Sequence, residues 1–342
     1  MRVGMYYKNK DIRVEEKAVP EIGQGELLVR VIASGICGTD VVEWYRRDRT
    51  PLVLGHEIAG EVVKVGEGVE RYKVGARISA SHHVPCDKCP YCLKDHHSVC
   101  DMLRSTKFDP GGFSEFLRIP ALNVEKGIYP LPDEVSFEEA TFIEPLACVL
   151  RGQRLAGYKK GRTLLVIGSG ISGLLHIQLA KVRSFGKIVA TDINDYRLKM
   201  ASRFGAGLTI HANADVPQKL KDFNGGRLAD LVILCTGARS AIEQALKSVD
   251  RGGTILFFAS TEEGVEFPLS INKFFWKNEI TLTSSYAANP KEHLEALKLI
   301  HDKKVNIRDM ITHRFGLGEI QKGFDLVSKP KDSIKVIIKP QE

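Results

Sequence analysis

Thr163-Leu164-Leu165-Val166-Ile167-Gly168-Ser169-Gly170-Ile171-Ser172-Gly173 is the stretch that decides the fold. Its first five residues form a continuous apolar run, as expected of a strand buried on both faces. A G-x-G-x-x-G turn follows, and the sequence from Leu174 to Val182 then reads as a helix. Gly168 permits the tight turn, Gly170 lets the backbone approach a bound pyrophosphate, and Gly173 lets the helix pack on the strand. The helix N-terminus at Ile171 and Ser172 offers an anion free backbone N–H groups and a partial positive charge.

Outward from this turn the alternation continues. Lys187–Thr191 reads as a strand and Arg197–Phe204 as a helix ended by Gly205, with Leu231–Leu234 and Thr254–Phe258 as further buried strands. Strands alternating with helices imply a parallel α/β sheet. Asp192 closes the second strand, 19 residues after Gly173. An acid there accepts hydrogen bonds from ribose hydroxyls and repels a 2′-phosphate, so NAD is expected over NADP. The expected cofactor-binding set is Gly168, Gly170, Ile171, Ser172, Gly173, Asp192 and Arg197. The bland alternative is a glycine turn with Asp192 capping the next helix.

The chain before about residue 150 reads differently. Leu27–Ala33 and Ile58–Val65 are strand-like runs divided by short turns such as Gly66-Glu67-Gly68. The tail, with Lys335–Lys339, again reads as a strand that need not join the parallel sheet. A length of 342 residues suggests two domains. The charge of +7 is spread along the chain rather than gathered in a block, which argues against a nucleic-acid surface. The N-terminal Met1–Lys8 lacks an apolar signal core, and no apolar run approaches a membrane span. A cytoplasmic protein with no membrane partner is expected. Four of its seven cysteines fall between positions 86 and 100. In a reducing compartment such a cluster reads as metal ligands rather than disulfides.

Cys86-x2-Cys89-x2-Cys92-x7-Cys100 supplies four thiolates to one tetrahedral zinc and leaves no position for substrate, so that site is expected to be structural. A nucleic-acid-binding zinc module is the competing reading, but the loop lacks a basic helix or stacked aromatics. Nearby His82, His83, His96 and His97 read as surface histidines, since four cysteines make them unnecessary as ligands. A second constellation is dispersed: Cys37 in Gly35-Ile36-Cys37-Gly38-Thr39-Asp40, His56 and Glu57 in Gly55-His56-Glu57, and Glu144 in Ile143-Glu144-Pro145-Leu146. A thiolate, an imidazole and a carboxylate suit a catalytic zinc with an open fourth position. Taken singly, they read as a core thiol, a satisfied core histidine and a helix-start acid.

Together these motifs resemble the zinc-containing medium-chain dehydrogenase/reductase family of alcohol dehydrogenases, in family order over essentially the whole chain. The resemblance implies an α/β protein with a GroES-like β-rich catalytic domain (1–149 and 288–342) and a Rossmann NAD-binding domain (150–287), a doubly wound parallel sheet. Within the family the chain looks most like sorbitol and related polyol dehydrogenases, which carry Glu-Pro-Leu where ethanol-type enzymes have cysteine. It then implies zinc on Cys37, His56 and Glu57, with Glu144 holding the zinc-bound water. Some relatives instead bind metal through the residue matching Glu144, with Glu57 behind it. Thr39 is implied to take the alcohol proton, and Thr106 and Tyr286 to lie in the substrate pocket. Val42 stands where many relatives have a relay histidine, and Ser285-Tyr286 where sorbitol dehydrogenases have Arg-Tyr.

The implied protein is therefore a dehydrogenase with two zinc ions and NAD, oxidising a secondary alcohol of a polyol or sugar-like substrate to a ketone. Its expected partners are that small molecule and further copies of the chain, as a dimer or tetramer. L-Threonine or a simple alcohol is the alternative substrate, although Ile143-Glu144-Pro145-Leu146 replaces the Phe-Asp-Pro-type motif of threonine enzymes. A non-enzymatic binding protein on the same fold is the remaining alternative, and Cys37, His56, Glu144 and Asp192 argue against it.

Overall fold

The computed structural model describes residues 1–329 and 331–342. The chain divides into two compact units, Cys148–Tyr286 and the discontinuous pair Met1–Ala147 with Ala287–Glu342.

In the continuous unit the apolar run Thr163–Ile167 is fully buried. It lies inside a parallel sheet ordered Leu208–His211, Lys187–Asp192, Thr163–Ile167, Ala229–Leu234, Val249–Phe257, Thr281–Ser284. Numbered from Thr163–Ile167 this is the order 3-2-1-4-5-6, the doubly wound arrangement whose ligands bind at the carboxyl ends of the strands where the order reverses. The helices Ile171–Val182, Asp195–Phe204, Val216–Phe223 and Arg239–Ser248 connect successive strands. Leu165, Val189, Val232 and Ile255 fill the sheet core without exposure. The first helix starts at Ile171, three residues before the apolar pattern, because Gly170 is its N-cap. The second starts at Asp195, where the Asn194 side chain accepts the Arg197 N–H.

The discontinuous unit is built on antiparallel strands. Leu27–Gly35 pairs with Glu57–Val65 on one side and with Lys335–Lys339 on the other. The tail strand therefore belongs here and not to the parallel sheet. Ile311–Gly316 extends the sheet beyond it, and Arg77–Ala80 and Ile128–Pro130 extend the far side. Leu27, Val29, Ile58, Val62, Ile78 and Leu117 form one core. The helix Ile320–Ser328 forms another, with Phe324 packed 5.9 Å from the Tyr6 ring and 5.7 Å from that of Phe113. No helix among the described residues is long and apolar enough to cross a membrane.

Two glycines set the geometry of the turn after Thr163–Ile167. Gly168 has φ of 92°, open to glycine at little cost, and its missing side chain leaves room for the Cys235 carbonyl. At Gly173 a Cβ would drive into the Gly168 carbonyl oxygen, backbone that cannot swing aside. Gly173→Ala is therefore expected to lower stability by about 1–3 kcal/mol, the range for overpacking. A denaturant midpoint equal to that of the wild-type protein would contradict it.

Candidate active site

The four-cysteine loop folds back on itself so that its sulfurs converge. Cys89 caps the short helix Pro90–Leu93, and its Sγ accepts the Cys92 N–H at 3.5 Å. The Cys86 sulfur accepts the Cys89 N–H at 3.3 Å. Cys89 and Cys92 sulfurs lie 3.5 Å apart, those of Cys86 and Cys92 3.9 Å, and all four within 4.8 Å of one another. A Zn–S bond of about 2.3 Å implies sulfurs about 3.8 Å apart on a tetrahedron, so the donors fit that ion. The backbone N–H of Lys88 brings the Cys86 thiol down to about 6, whereas burial pushes that of Cys92 up to about 12.

The second cluster draws on segments far apart in sequence. Cys37 follows the strand Leu27–Gly35 and caps a turn of 3-10 helix, Gly38–Val41. Gly55, at φ 97°, turns the chain so that His56 and Glu57 enter the next strand. A Cβ on Gly55 would meet the Phe113 backbone nitrogen at 2.8 Å. Donor atoms of Cys37, His56 and Glu57 lie within 4.8 Å of one another. The Thr39 hydroxyl donates to the Cys37 sulfur at 3.3 Å and is exposed. Glu144 occupies the first turn of the helix Ile143–Leu155. It is outside the three-donor set but adds to the negative field on His56.

Behind these donors stand groups that the sequence reading missed. Asp40 is fully buried; one oxygen accepts the Cys37 N–H at 3.0 Å and the other lies 3.6 Å from His56 Nδ1. A carboxylate on the far nitrogen of a ligating imidazole fixes its tautomer and orientation. Burial pulls the His56 imidazole down, but Asp40 and the Cys37 sulfur outweigh it and hold the ring well above its ordinary value. A donor set that draws a proton so strongly is one for which a divalent cation would compete. Lys335 is fully buried and forms an ion pair with Glu57. Asp40 follows Cys37 at the capping-box spacing, and Lys335 is the one charge in Ile334-Lys335-Val336-Ile337-Ile338. Those were the available signals.

The histidine reading is corrected in part. His82 and His83 are half-buried rather than on the surface. The strand Arg77–Ala80 delivers them beside the Cys-His-Glu cluster, with the His82 ring 4.8 Å from His56 and 3.8 Å from His83. Burial lowers the His83 imidazole to about 4. His96 is exposed, and His97 is half-buried 3.3 Å from Asp95. Thr106 is half-buried, but its hydroxyl accepts the Val84 N–H and donates to the Leu103 carbonyl, so backbone already engages it. Tyr286 closes the other unit, 47% exposed.

In the parallel unit, Asp192 is held in place by two backbone donors. Its oxygens accept the Ser169 N–H at 2.7 Å and the Asn194 N–H at 2.9 Å. The Arg197 guanidinium lies 3.7 Å from where a Gly170 side chain would begin, over the mouth of the glycine turn. Its Nε is buried with no hydrogen-bond partner among the described residues. The turn, its helix N-terminus and this cation thus present one face to an anion.

A doubly wound unit joined to a β-rich unit that carries a Cys-His-Glu cluster and a four-cysteine lobe defines a class, the metal-dependent dehydrogenases. Residues 23–133 match the alcohol dehydrogenase GroES-like domain, and residues 172–302 the zinc-binding dehydrogenase domain. Sorbitol dehydrogenase of Gallus gallus is 30% identical, covering 96% of this chain and 93% of its own. L-threonine 3-dehydrogenase of Bacillus velezensis is 34% identical, covering 96% and 95%. Among solved structures, a zinc-binding dehydrogenase of Sinorhizobium meliloti bound to NADP superposes with a TM-score of 0.87 at 28% identity, covering 99% of each chain. The 2R,3R-butanediol dehydrogenase of Bacillus subtilis gives 0.85 at 25%, again over 99% of each. The chain belongs to the zinc-containing alcohol dehydrogenase family, and it is an enzyme.

Since the lobe sulfurs and the Cys-His-Glu donors form separate sets, Cys92→Ser should lower zinc content by about one ion per chain. It should also lower thermal stability, because a structural site couples binding to folding. Elemental analysis of wild type and variant checks this; a wild type holding one zinc or fewer would overturn the two-site assignment.

Proposed function

We propose that the enzyme oxidises a secondary alcohol of a polyol or sugar-like substrate to the ketone, with NAD as hydride acceptor. The observation that carries this reading is the convergence of Cys37, His56 and Glu57 within 4.8 Å beside the exposed Thr39 hydroxyl. The Glu-Pro-Leu sequence at Glu144 and the similarity to sorbitol dehydrogenases support it. A zinc ion on those three donors would act as a Lewis acid that lowers the pKa of a bound alcohol. Asp40 orients His56, and Lys335 balances the charge of Glu57. Thr39 takes the alcohol proton and passes it outward. Glu144 would orient the substrate oxygen beside those three donors. Asp192 accepts from the ribose hydroxyls while Gly168–Gly173 and Arg197 cradle the pyrophosphate. The reading includes self-association as a dimer or tetramer.

A second substrate reading has specific support. The Bacillus L-threonine 3-dehydrogenases are 33–34% identical to this chain, slightly above the sorbitol dehydrogenases. NAD reduction with a panel of polyols, sugar acids, L-threonine and simple alcohols separates the two. Turnover of L-threonine alone would replace the polyol reading.

Two predictions follow from the named roles. The fixed Asp192 carboxylate should favour NAD over NADP by at least tenfold in kcat/KM, about the 1.4 kcal/mol of one charge-assisted contact. Equal values would defeat the assignment. Glu144→Gln should retain zinc and lose about 10–100-fold in turnover if Glu144 acts behind the metal. If Glu144 is a direct ligand, the variant should lose one zinc and keep the lobe's. Full metal with full activity would remove Glu144 from the site.

A further inference from the structure

The turn that follows the Cys37 loop carries three arginines in four positions, Arg46, Arg47 and Arg49. Arg47 and Arg49 are exposed, and Arg49 stacks on Tyr45 with its guanidinium 4.5 Å from the ring centre. Arg46 also lies over the Tyr45 ring, 4.8 Å from its centre, but it is more buried than the other two. Its side chain is only 13% exposed, and its Nη2 donates at 3.3 Å to the carbonyl of Thr39, the residue whose hydroxyl rests on the Cys37 sulfur.

That single long hydrogen bond leaves most of the guanidinium's donors unused. The nearest carboxylate is Asp40, 3.8 Å away and so beyond hydrogen-bonding distance. The Asp40 oxygen concerned also faces His56, and its other oxygen is occupied by the Cys37 N–H. Arg46 Nε is buried without a partner among the described residues, as is the indole N–H of Trp44 in the same turn. A buried donor left unpaired is costly, so two in one short turn ask for acceptors supplied from outside the chain. The positive charge also reaches His82, which burial and the adjoining imidazoles already hold well below its ordinary value. Arg46 thus stands within the setting of the metal cluster.

From this arrangement we infer that Arg46 is a specificity-determining residue that receives a carboxylate of the substrate, so that the preferred alcohols are polyhydroxy acids of the aldonate class rather than neutral alditols. A guanidinium presents a planar fork matched to a carboxylate, and hydrogen bonds between charged partners are about twice as strong as neutral ones. A neutral alditol offers Arg46 only hydroxyl acceptors, and Asp40 at 3.8 Å remains the nearest opposite charge. The inference rests on the polyol reading above and narrows it.

Matched pairs test it: D-gluconate against D-glucitol, and D-galactonate against galactitol, each assayed with wild type, R46M and R46K. The wild type is expected to prefer the acid of at least one pair by tenfold or more in kcat/KM. In R46M that acid-to-alditol ratio should fall at least tenfold, with R46K between the two. Calorimetric titration of the NADH-loaded proteins should show the same acid binding at least tenfold more weakly to R46M, and melting curves show whether each variant is folded. Alditols preferred in every pair, or a ratio unmoved in both variants, would overturn the inference while leaving the polyol reading standing. Oxidation of neither member of any pair, with turnover of L-threonine or a simple alcohol, would overturn the polyol reading and this inference with it.

Discussion

The buried ion pair between Lys335 and Glu57 joins the two ends of the discontinuous unit. Glu57 opens the strand Glu57–Val65 and Lys335 opens the strand Lys335–Lys339, with Leu27–Gly35 between them. Both side chains reach across that central strand at Gly35, where a Cβ would collide with each of them. Lone buried charges of this kind are prohibitive, and breaking such a pair leaves a desolvated ion behind. The register of the C-terminal strand is therefore tied to the residue that follows His56. A segment nearly 300 residues downstream becomes part of the site's architecture. The same strand buries Val336 and Ile338 against Tyr6 and Phe113, so the hydrophobic core and the ion pair fix one register together.

Around this pair the charges form a graded balance. Glu57 is answered by Lys335, and Asp40 is shared between His56 at 3.6 Å and Arg46 at 3.8 Å. Asp40, Cys37 and Glu144 all act on His56, while Lys335 pairs with Glu57 and Arg46 lies beside Asp40. The combined negative field of the first three raises the affinity of the His56 imidazole for a proton despite its burial. The lobe works differently. Backbone N–H groups of one short loop reach the sulfurs of Cys86 and Cys89, so the lobe's donors are held within that loop.

This contrast explains what could be read from the sequence. The glycine turn and the four-cysteine lobe are local: each lies within 15 residues, and their spacing alone carries the geometry. Strand runs were legible for the same reason, since Thr163–Ile167 is buried on both faces and shows it as unbroken apolarity. Helix starts were less so, because Gly170 and Asn194 act as caps before the apolar pattern begins. Asp40 and Lys335 gained their meaning only from tertiary pairing. His82 and His83 were misread because no local pattern records that the end of Arg77–Ala80 runs beside His56. Thr106 illustrates the reverse: a polar residue in a suggestive place whose hydroxyl the backbone has already claimed.

Substrate choice is hardest to read for a related physical reason. Cofactor recognition uses backbone N–H groups, a helix terminus and one carboxylate, all of which a sequence motif reports directly. Metal binding requires particular donor atoms, and few residue types supply them. Recognition of a hydroxylated chain, by contrast, is met by almost any donor or acceptor at a suitable distance. It is therefore distributed over side chains that also serve packing or capping. The informative residues are then those whose polar atoms the fold leaves unsatisfied in a buried place, because the chain bears a cost there that its own contacts do not offset. Near the metal cluster Arg46 and Trp44 meet that criterion and Thr106 does not. By that criterion the turn after Cys37, rather than Thr106, is where acceptors from outside the chain are called for.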